Sequence, residues 1–313
     1  MRSWNKAHQQ LMSRQFSEGK LPHAILICGA HGAGKLSLAK WIVSIFNCQR
    51  PSQSKESILH ACNECKTCLL SHSGTNPDTA GIEQVERSIS VEDVRKLTQF
   101  LETKPQLAAG KSVFISESER LTESAANALL KTLEEPNDNS LIVLTCRDQE
   151  SVLPTILSRC QLVMIRPLVG QALSEHANIE EIDPYININA LTELTDPELK
   201  EQYMDFNTYM ANFVQSGSIT VELETSILNH QFGLDWLERY MINIVRKQNH
   251  WQVSNMLSEI KPELTLNTFW HIYQLVIQAK KKLKSLVQAN QLFVKEQLIA
   301  DIQACIEKSG AIN

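Results

Sequence analysis

Residues 24–40, AILICGAHGAGKLSLAK, constrain the fold more than any other part of the chain. A short apolar run ends at Gly29, and Leu36, Ala39, Val43 and Phe46 then recur at helical spacing. Strand, glycine loop and helix in that order are the setting of a phosphate-binding loop, where backbone N–H groups and a helix N-terminus face an anion. Gly29, Gly32, Gly34 and Lys35 satisfy G-x-x-x-x-G-K. The next position should offer a hydroxyl to Mg2+, and it is Leu36. Ser37 is no substitute, because one step along a helix turns a side chain by ~100°.

The pattern around this loop predicts an α/β domain. KSVFIS (111–116), SLIVLTC (140–146) and QLVMIRP (161–167) read as further strands, and SHSGTNPDTAG (71–81) reads as loop. SVEDVRKLTQFLETKP predicts a helix with Ser90 as N-cap and Asp93 as its acidic capping partner. TESAANALLKTLEEP predicts a second, opened by Thr122 and closed by Pro136, and VLPTILSRC a short helical turn. Strands alternating with helices imply a parallel sheet covered on both faces. After Pro167 the strand pattern stops. Residues 168 to about 207 read as short acidic helices and the remainder as helical to the end, which sets expected domains at 1–166, 167–207 and 208–313.

Charge limits the partners. The net charge is −5, and between Arg166 and Arg239 Lys200 is the only Lys or Arg among thirteen Asp and Glu residues. That segment repels a phosphate backbone. KKKLK (280–284) reads as the solvated face of an amphipathic helix, with DNA contact as the other reading. No apolar run reaches the ~18 residues of a membrane span. The N-terminal residues lack a secretory pattern, so a cytoplasmic location without a membrane partner is expected.

Four of the eight cysteines, Cys48, Cys62, Cys65 and Cys68, fall within residues 48–68. Reduced thiols clustered as C-x13-C-x2-C-x2-C point to a structural Zn2+, since paired C-x2-C turns converge their sulfurs on one point. Cys48, across the longer gap, is the least secure ligand, and His60 is the reserve. Four sulfur ligands leave no open coordination position, so such a site staples a loop and does not catalyse. A nucleic-acid-binding ribbon is disfavoured, because Lys55, Lys66 and Arg50 are diluted by Glu56 and Glu64 without interleaved aromatics. Cys28, Cys146, Cys160 and Cys305 read as scattered, buried small hydrophobes.

LPHAILICG, the cysteine insertion, ANALLKTLEEP and LPTILSRC occur in the order found in AAA+ clamp-loader subunits. Over residues 21–160 the chain resembles the clamp-loader subunits of the bacterial DNA polymerase III holoenzyme. The resemblance implies an AAA+ α/β domain with a zinc-binding insertion, a small helical lid and an all-helical C-terminal collar. It implies a hetero-oligomeric ring with gamma/tau and delta type subunits, acting with the sliding clamp on primed DNA. It also places Ser116 where the family has its magnesium-binding aspartate, Glu117 at the catalytic glutamate and Thr145–Arg147 at a nucleotide sensor. With positions 36 and 116 both lacking a metal ligand, no intrinsic Mg-ATP hydrolysis is expected. Gly29, Gly32, Gly34 and Lys35 then either hold ATP or ADP without turnover or persist as an empty turn. Arg159, in the SRC motif, is expected to act in trans as an arginine finger on a neighbour's ATP, its alternative being an ion pair with a local carboxylate. An active ATPase motor subunit is the competing reading. His23 is equally a packed turn residue or a contact.

Overall fold

Strands β1 (Ala24–Cys28), β4 (Thr79–Ile82), β5 (Lys111–Ile115), β6 (Ser140–Cys146) and β7 (Gln161–Met164) form one parallel sheet in the order β4-β5-β6-β1-β7. A two-stranded antiparallel hairpin, β2 (Ser52–Gln53) and β3 (Leu59–His60), lies in the cysteine insertion. These coordinates are a computed structural model describing residues 3–83, 87–177, 188, 196–251, 265–283 and 288–310. By its contacts the chain divides into two compact units, Met1–Leu168 and Val169–Asn313.

The period-two alternation of the strands divides the core of the first unit. Leu26, Cys28, Val113, Ile115, Ile142, Leu144 and Cys146 face one side. There they meet helices α4 (Val91–Glu102) and α5 (Glu123–Glu134) through Val94, Leu97, Leu101, Ala126, Leu129 and Leu133. Ile25, Ile27, Leu141, Val143 and Val163 face the other side, against α1 (Lys6–Ser17) and α2 (Lys35–Asn47). Burying both faces explains why the strands read as near-continuous apolar runs. Helix α2 is buried on more than the stripe its spacing suggests, since Leu38, Trp41, Ile42 and Ile45 are also covered. The sheet lies on one side of it, and the hairpin and α3 (Lys66–His72) lie on another.

The expected caps are present. Ser90 and Asp93 form a reciprocal capping box, and the Thr122 hydroxyl accepts from the Ala125 N–H. The fifth strand departs from the sequence reading. Thr79–Ile82 was expected as loop, yet it pairs in register with Ser112–Ile115. Its glycine disguised it: a Cβ on Gly81 would overlap the Phe114 ring, so the residue that weakens strand propensity is the one the packing admits.

The second unit is helical, with helices Gly170–Ala177, Pro197–Ser216, Val221–Asn229, Gly233–Gln248, Leu266–Leu283 and Gln288–Gly310. Phe206, Met210, Phe213, Trp236, Met241, Phe269 and Ile272 centre its core. The boundary expected at 207/208 falls inside the helix Pro197–Ser216, capped by Asp196 at its start and ended by left-handed Gly217. Phe206 and Met210, on either side of that boundary, belong to one core. Residues 178–187 and 189–195 of the expected acidic helices lie outside the described residues, as does Lys284. Lys280 is no part of a free basic face, because its ammonium pairs with Asp235 and Glu238.

Asp78, fully buried before β4, accepts from the N–H groups of Gln106 (2.7 Å), Leu107 (2.6 Å) and Ala108 (2.8 Å). Burial works to raise its pKa, but the three donors together outweigh that and hold the carboxyl below its ordinary value. This stabilisation is complete above the unfolded carboxylate pKa of about 3.9 and is lost as pH falls through the lowered folded value. Asp78→Asn is therefore expected to cost about 2–4 kcal/mol in denaturant unfolding at neutral pH, with a shallower further loss than the wild type below about pH 4.

Candidate functional site: a phosphate loop without metal ligands

Parallel strands end at the same edge of a sheet, so the segments following β1, β5 and β6 converge there. The loop after β1 needs glycine at two points, since Gly32 (φ 75°) and Gly34 (φ 88°) adopt left-handed backbone. Gly29 is required by closeness, because a Cβ there would lie 2.9 Å from the Ile165 carbonyl oxygen. Gly34 caps α2 and Lys35 is its first residue. The Lys35 ammonium folds back onto the loop, donating to the carbonyls of Gly29 (2.7 Å) and Ala30 (2.9 Å). Burial lowers its pKa, and the field of Glu119 acts in the opposite sense. The Trp4 indole N–H donates to the Ala33 carbonyl at 2.9 Å, a tie from outside the motif that the sequence did not disclose.

The side chains at positions 36, 37 and 116 are differently placed. Leu36 is half-buried and Ser37 is exposed on the next step of the helix. Ser116, 3% exposed at the end of β5, has a buried hydroxyl with no hydrogen-bond partner among the described residues. Glu117 takes a left-handed backbone (φ 52°) and its carboxylate pairs with Arg120 at 2.5 Å.

Thr145, within the segment that the resemblance places at a nucleotide sensor, is a buried residue of β6. Its hydroxyl accepts from the Glu117 N–H (3.2 Å) and its carbonyl accepts from the Ser118 hydroxyl (2.9 Å). It pins the turn after β5. Arg147 pairs with Glu119 at 3.5 Å. Glu119, absent from the sequence reading, thus faces both Lys35 and Arg147. Its only signal was an acidic residue soon after an apolar strand.

Arg159 follows the short helix α6 (Pro154–Leu157). Its Nε donates to Glu134 Oε1 at 2.8 Å and one terminal nitrogen reaches the same oxygen. The other terminal nitrogen donates to the Thr155 carbonyl (2.9 Å) and the Ser158 hydroxyl (3.1 Å). The local carboxylate held open as an alternative is therefore present. The guanidinium remains partly exposed, with 32% of its side-chain surface accessible, and Glu134 is 47% exposed. An ion pair this wet is worth at most about 1 kcal/mol. Cys160 beside it is inert, its thiol pushed up to about 12 by burial. His23 is a packing residue, its Nε2 lying 3.0 Å from the Leu133 carbonyl oxygen.

The sulfurs of Cys48, Cys62, Cys65 and Cys68 all lie within 4.8 Å of one another. Four thiolates around a tetrahedral zinc, with bonds of ~2.3 Å, stand about 3.8 Å apart. Cys62 and Cys68 are already at 3.9 Å. Backbone N–H groups of Cys62 and Cys65 donate to the sulfurs of Cys48 (3.2 Å) and Cys62 (3.3 Å), orienting them inward. Cys48 joins the cluster from the end of α2, while His60 is exposed on β3 and outside it.

The two hydroxyls at this edge predict opposite outcomes. Ser116→Ala removes an unpartnered buried polar group and is expected to leave the urea-unfolding midpoint at or above wild type. Thr145→Val strands the Glu117 N–H and is expected to cost about 1–3 kcal/mol.

Comparison with known proteins agrees with this architecture. The family model described as "DNA polymerase III, delta subunit" matches residues 4–169. The DNA polymerase III subunit delta' of Pseudomonas aeruginosa is 38% identical over 168 residues, covering 53% of this chain and 49% of that protein. The Escherichia coli subunit delta' is 33% identical over 166 residues, covering 52% and 48%. The DNA polymerase III subunit tau/gamma of Haemophilus influenzae is 32% identical over 165 residues, covering 53% of this chain and 23% of that one. The aligned part thus spans about half the length of the two delta' relatives. With the family model covering more than half of its residues, this chain belongs to the family described as DNA polymerase III, delta subunit.

Proposed function

We propose that this chain is the non-hydrolysing delta-prime subunit of a clamp loader, a ring that places a sliding clamp on primed DNA during replication. One observation carries the reading: Arg159 stands at a partly exposed helix end, while Leu36 and Ser116 leave its own site without a metal ligand. Magnesium positions the phosphates and neutralises charge developing on them, and neither the leucine side chain nor a buried serine replaces a carboxylate in that task. The Glu117 carboxylate, turned onto Arg120, is not positioned to polarise a water. The chain's contribution is then a guanidinium supplied to the γ-phosphate of an ATP in an adjacent gamma/tau type subunit.

Glu134 holds that guanidinium in the free chain. Because the pair is solvated, a triphosphate is able to outcompete it on assembly, being a multiply charged acceptor for the same fork of donors. The helical second unit serves as the collar that joins gamma/tau and delta type subunits, and the clamp and primed DNA are met through the assembled complex. A cytoplasmic location follows from this role. Among the described residues no helix is long and apolar enough to cross a membrane.

Arginine fingers contribute roughly 10³–10⁵ in rate. Arg159→Ala, assembled with motor subunits, clamp and primed DNA, is therefore expected to slow turnover at the neighbouring site by roughly 10³-fold while assembly persists. Undiminished turnover and clamp loading would remove the finger from the account. The isolated chain with magnesium and primed DNA is expected to consume no ATP; turnover abolished by Lys35→Ala would favour the motor-subunit reading.

Cys48, Cys62, Cys65 and Cys68 would hold a structural Zn2+, whose chemistry is that of a cross-link. It would tie the end of α2 to the start of α3. Cys48→Ser is expected to lower zinc content and the thermal midpoint of the protein together, read by metal analysis and calorimetry, whereas His60→Ala leaves both unchanged.

A further inference from the structure

Cys28 and Cys146, distant in sequence, end neighbouring strands, and the parallel ladder sets them opposite one another as Cα partners. Neither exposes any surface, and both side chains fall on the sheet face covered by α4 and α5. Both are buried small residues of the apolar core, as expected, but they are neighbours across the ladder rather than scattered. Each thiol acts on the pKa of the other. Neighbouring strands run about 4.8 Å apart, inside the window of about 4.4–6.8 Å between Cα atoms that a disulfide spans.

We propose that Cys28 and Cys146 form an oxidative modification site, where a small hydroperoxide converts the thiol pair to a disulfide across the β1–β6 ladder at the root of the phosphate loop.

The roles of the two sulfurs differ. Cys146 lowers the pKa of Cys28 against burial and the fields of Asp148 and Glu119, and Cys146 itself is raised, chiefly by Cys28 and by burial. In the proposed sequence Cys28, at the strand end that leads into the loop, is the attacking thiolate and Cys146, its partner across the ladder, the resolving thiol. The Cys28 sulfur attacks one peroxide oxygen, the O–O bond breaks, and the departing hydroxide takes a proton to leave as water. The Cys28 sulfenic acid is then attacked by the Cys146 sulfur, forming the S–S bond and releasing a second water. The two sulfurs together lose two electrons and the peroxide gains two. Two thiols and one hydrogen peroxide give one disulfide and two waters. Cys160 is raised by burial and feels the field of Cys28.

Gly29, next to Cys28, donates to the Cys146 carbonyl at 3.2 Å, and the adjoining loop is closed by the Lys35 bonds to Gly29 and Ala30. The pair is fully buried, so a small neutral oxidant reaches it through local opening of this edge of the sheet. Once formed, the disulfide fixes both strand ends from which the loop hangs.

The test treats the folded full-length chain, with zinc present, with hydrogen peroxide, alkylates the remaining thiols after denaturation and maps the peptides without reduction. The expected product is a Cys28–Cys146 linked peptide, lighter by two hydrogens and lost on reduction, with Cys160 and Cys305 still alkylated. Recovery of Cys28 and Cys146 as alkylated thiols after Cys62 or Cys305 has oxidised would overturn the proposal. So would Cys28 as sulfinic acid beside a free Cys146. In Cys146→Ser, Cys28 should stop at the sulfenic acid and be trapped by a 1,3-dicarbonyl; absence of that adduct in folded variant also counts against the site.

Discussion

The parallel ladder of β1 between β6 and β7 is the constraint on which everything in the first unit depends. Parallel strands deliver their C-terminal ends to one edge, so the glycine loop, the Ser116–Glu119 turn and Cys146–Arg147 meet without any having evolved toward another in sequence. The ladder also makes Gly29 obligatory, because the strand end at Ile165 comes too close for a side chain. Both faces must then be covered, and the four helices that cover them carry the remaining elements: the α2 end supplies Cys48, and the α5 end supplies Glu134.

At that edge the charges have turned inward. Lys35 satisfies loop carbonyls, Glu117 pairs with Arg120, and Glu119 lies between Lys35 and Arg147. Lys35, Glu117 and Arg147 thus each meet a group of the chain itself at this junction of strand ends. The arginine at the other end of the unit is held by a solvated carboxylate, a bond that exchanges easily.

Reading the residues in order recovered four of the five sheet strands and both main helix caps, because these are local matters of apolar alternation and a side-chain oxygen at the right offset. It missed the edge strand Thr79–Ile82, where Gly81 lowers the apparent propensity and only the Phe114 ring explains the choice. It also placed a domain break inside the helix Pro197–Ser216, since acidic surface residues there obscure the shared core of Phe206 and Met210. For Thr145 it gave the position and not the role, because a hydroxyl buried in a strand has the same letter as one facing a ligand.

The sequence by itself determined that position 36 carries no side-chain oxygen and position 116 no carboxylate, facts that no folding alters. It also determined that four cysteines were available to one insertion. Only the tertiary structure decided which groups compensate one another: Glu134 with Arg159 across 25 residues, Asp78 with the N–H groups of 106–108, Cys28 with Cys146, and Cys48 rather than His60 with the other three sulfurs. The physical reason is reach. Caps and strand alternation act over a few residues and are written in spacing, whereas pairing between distant groups depends on which strand ends and helix ends the sheet order brings together.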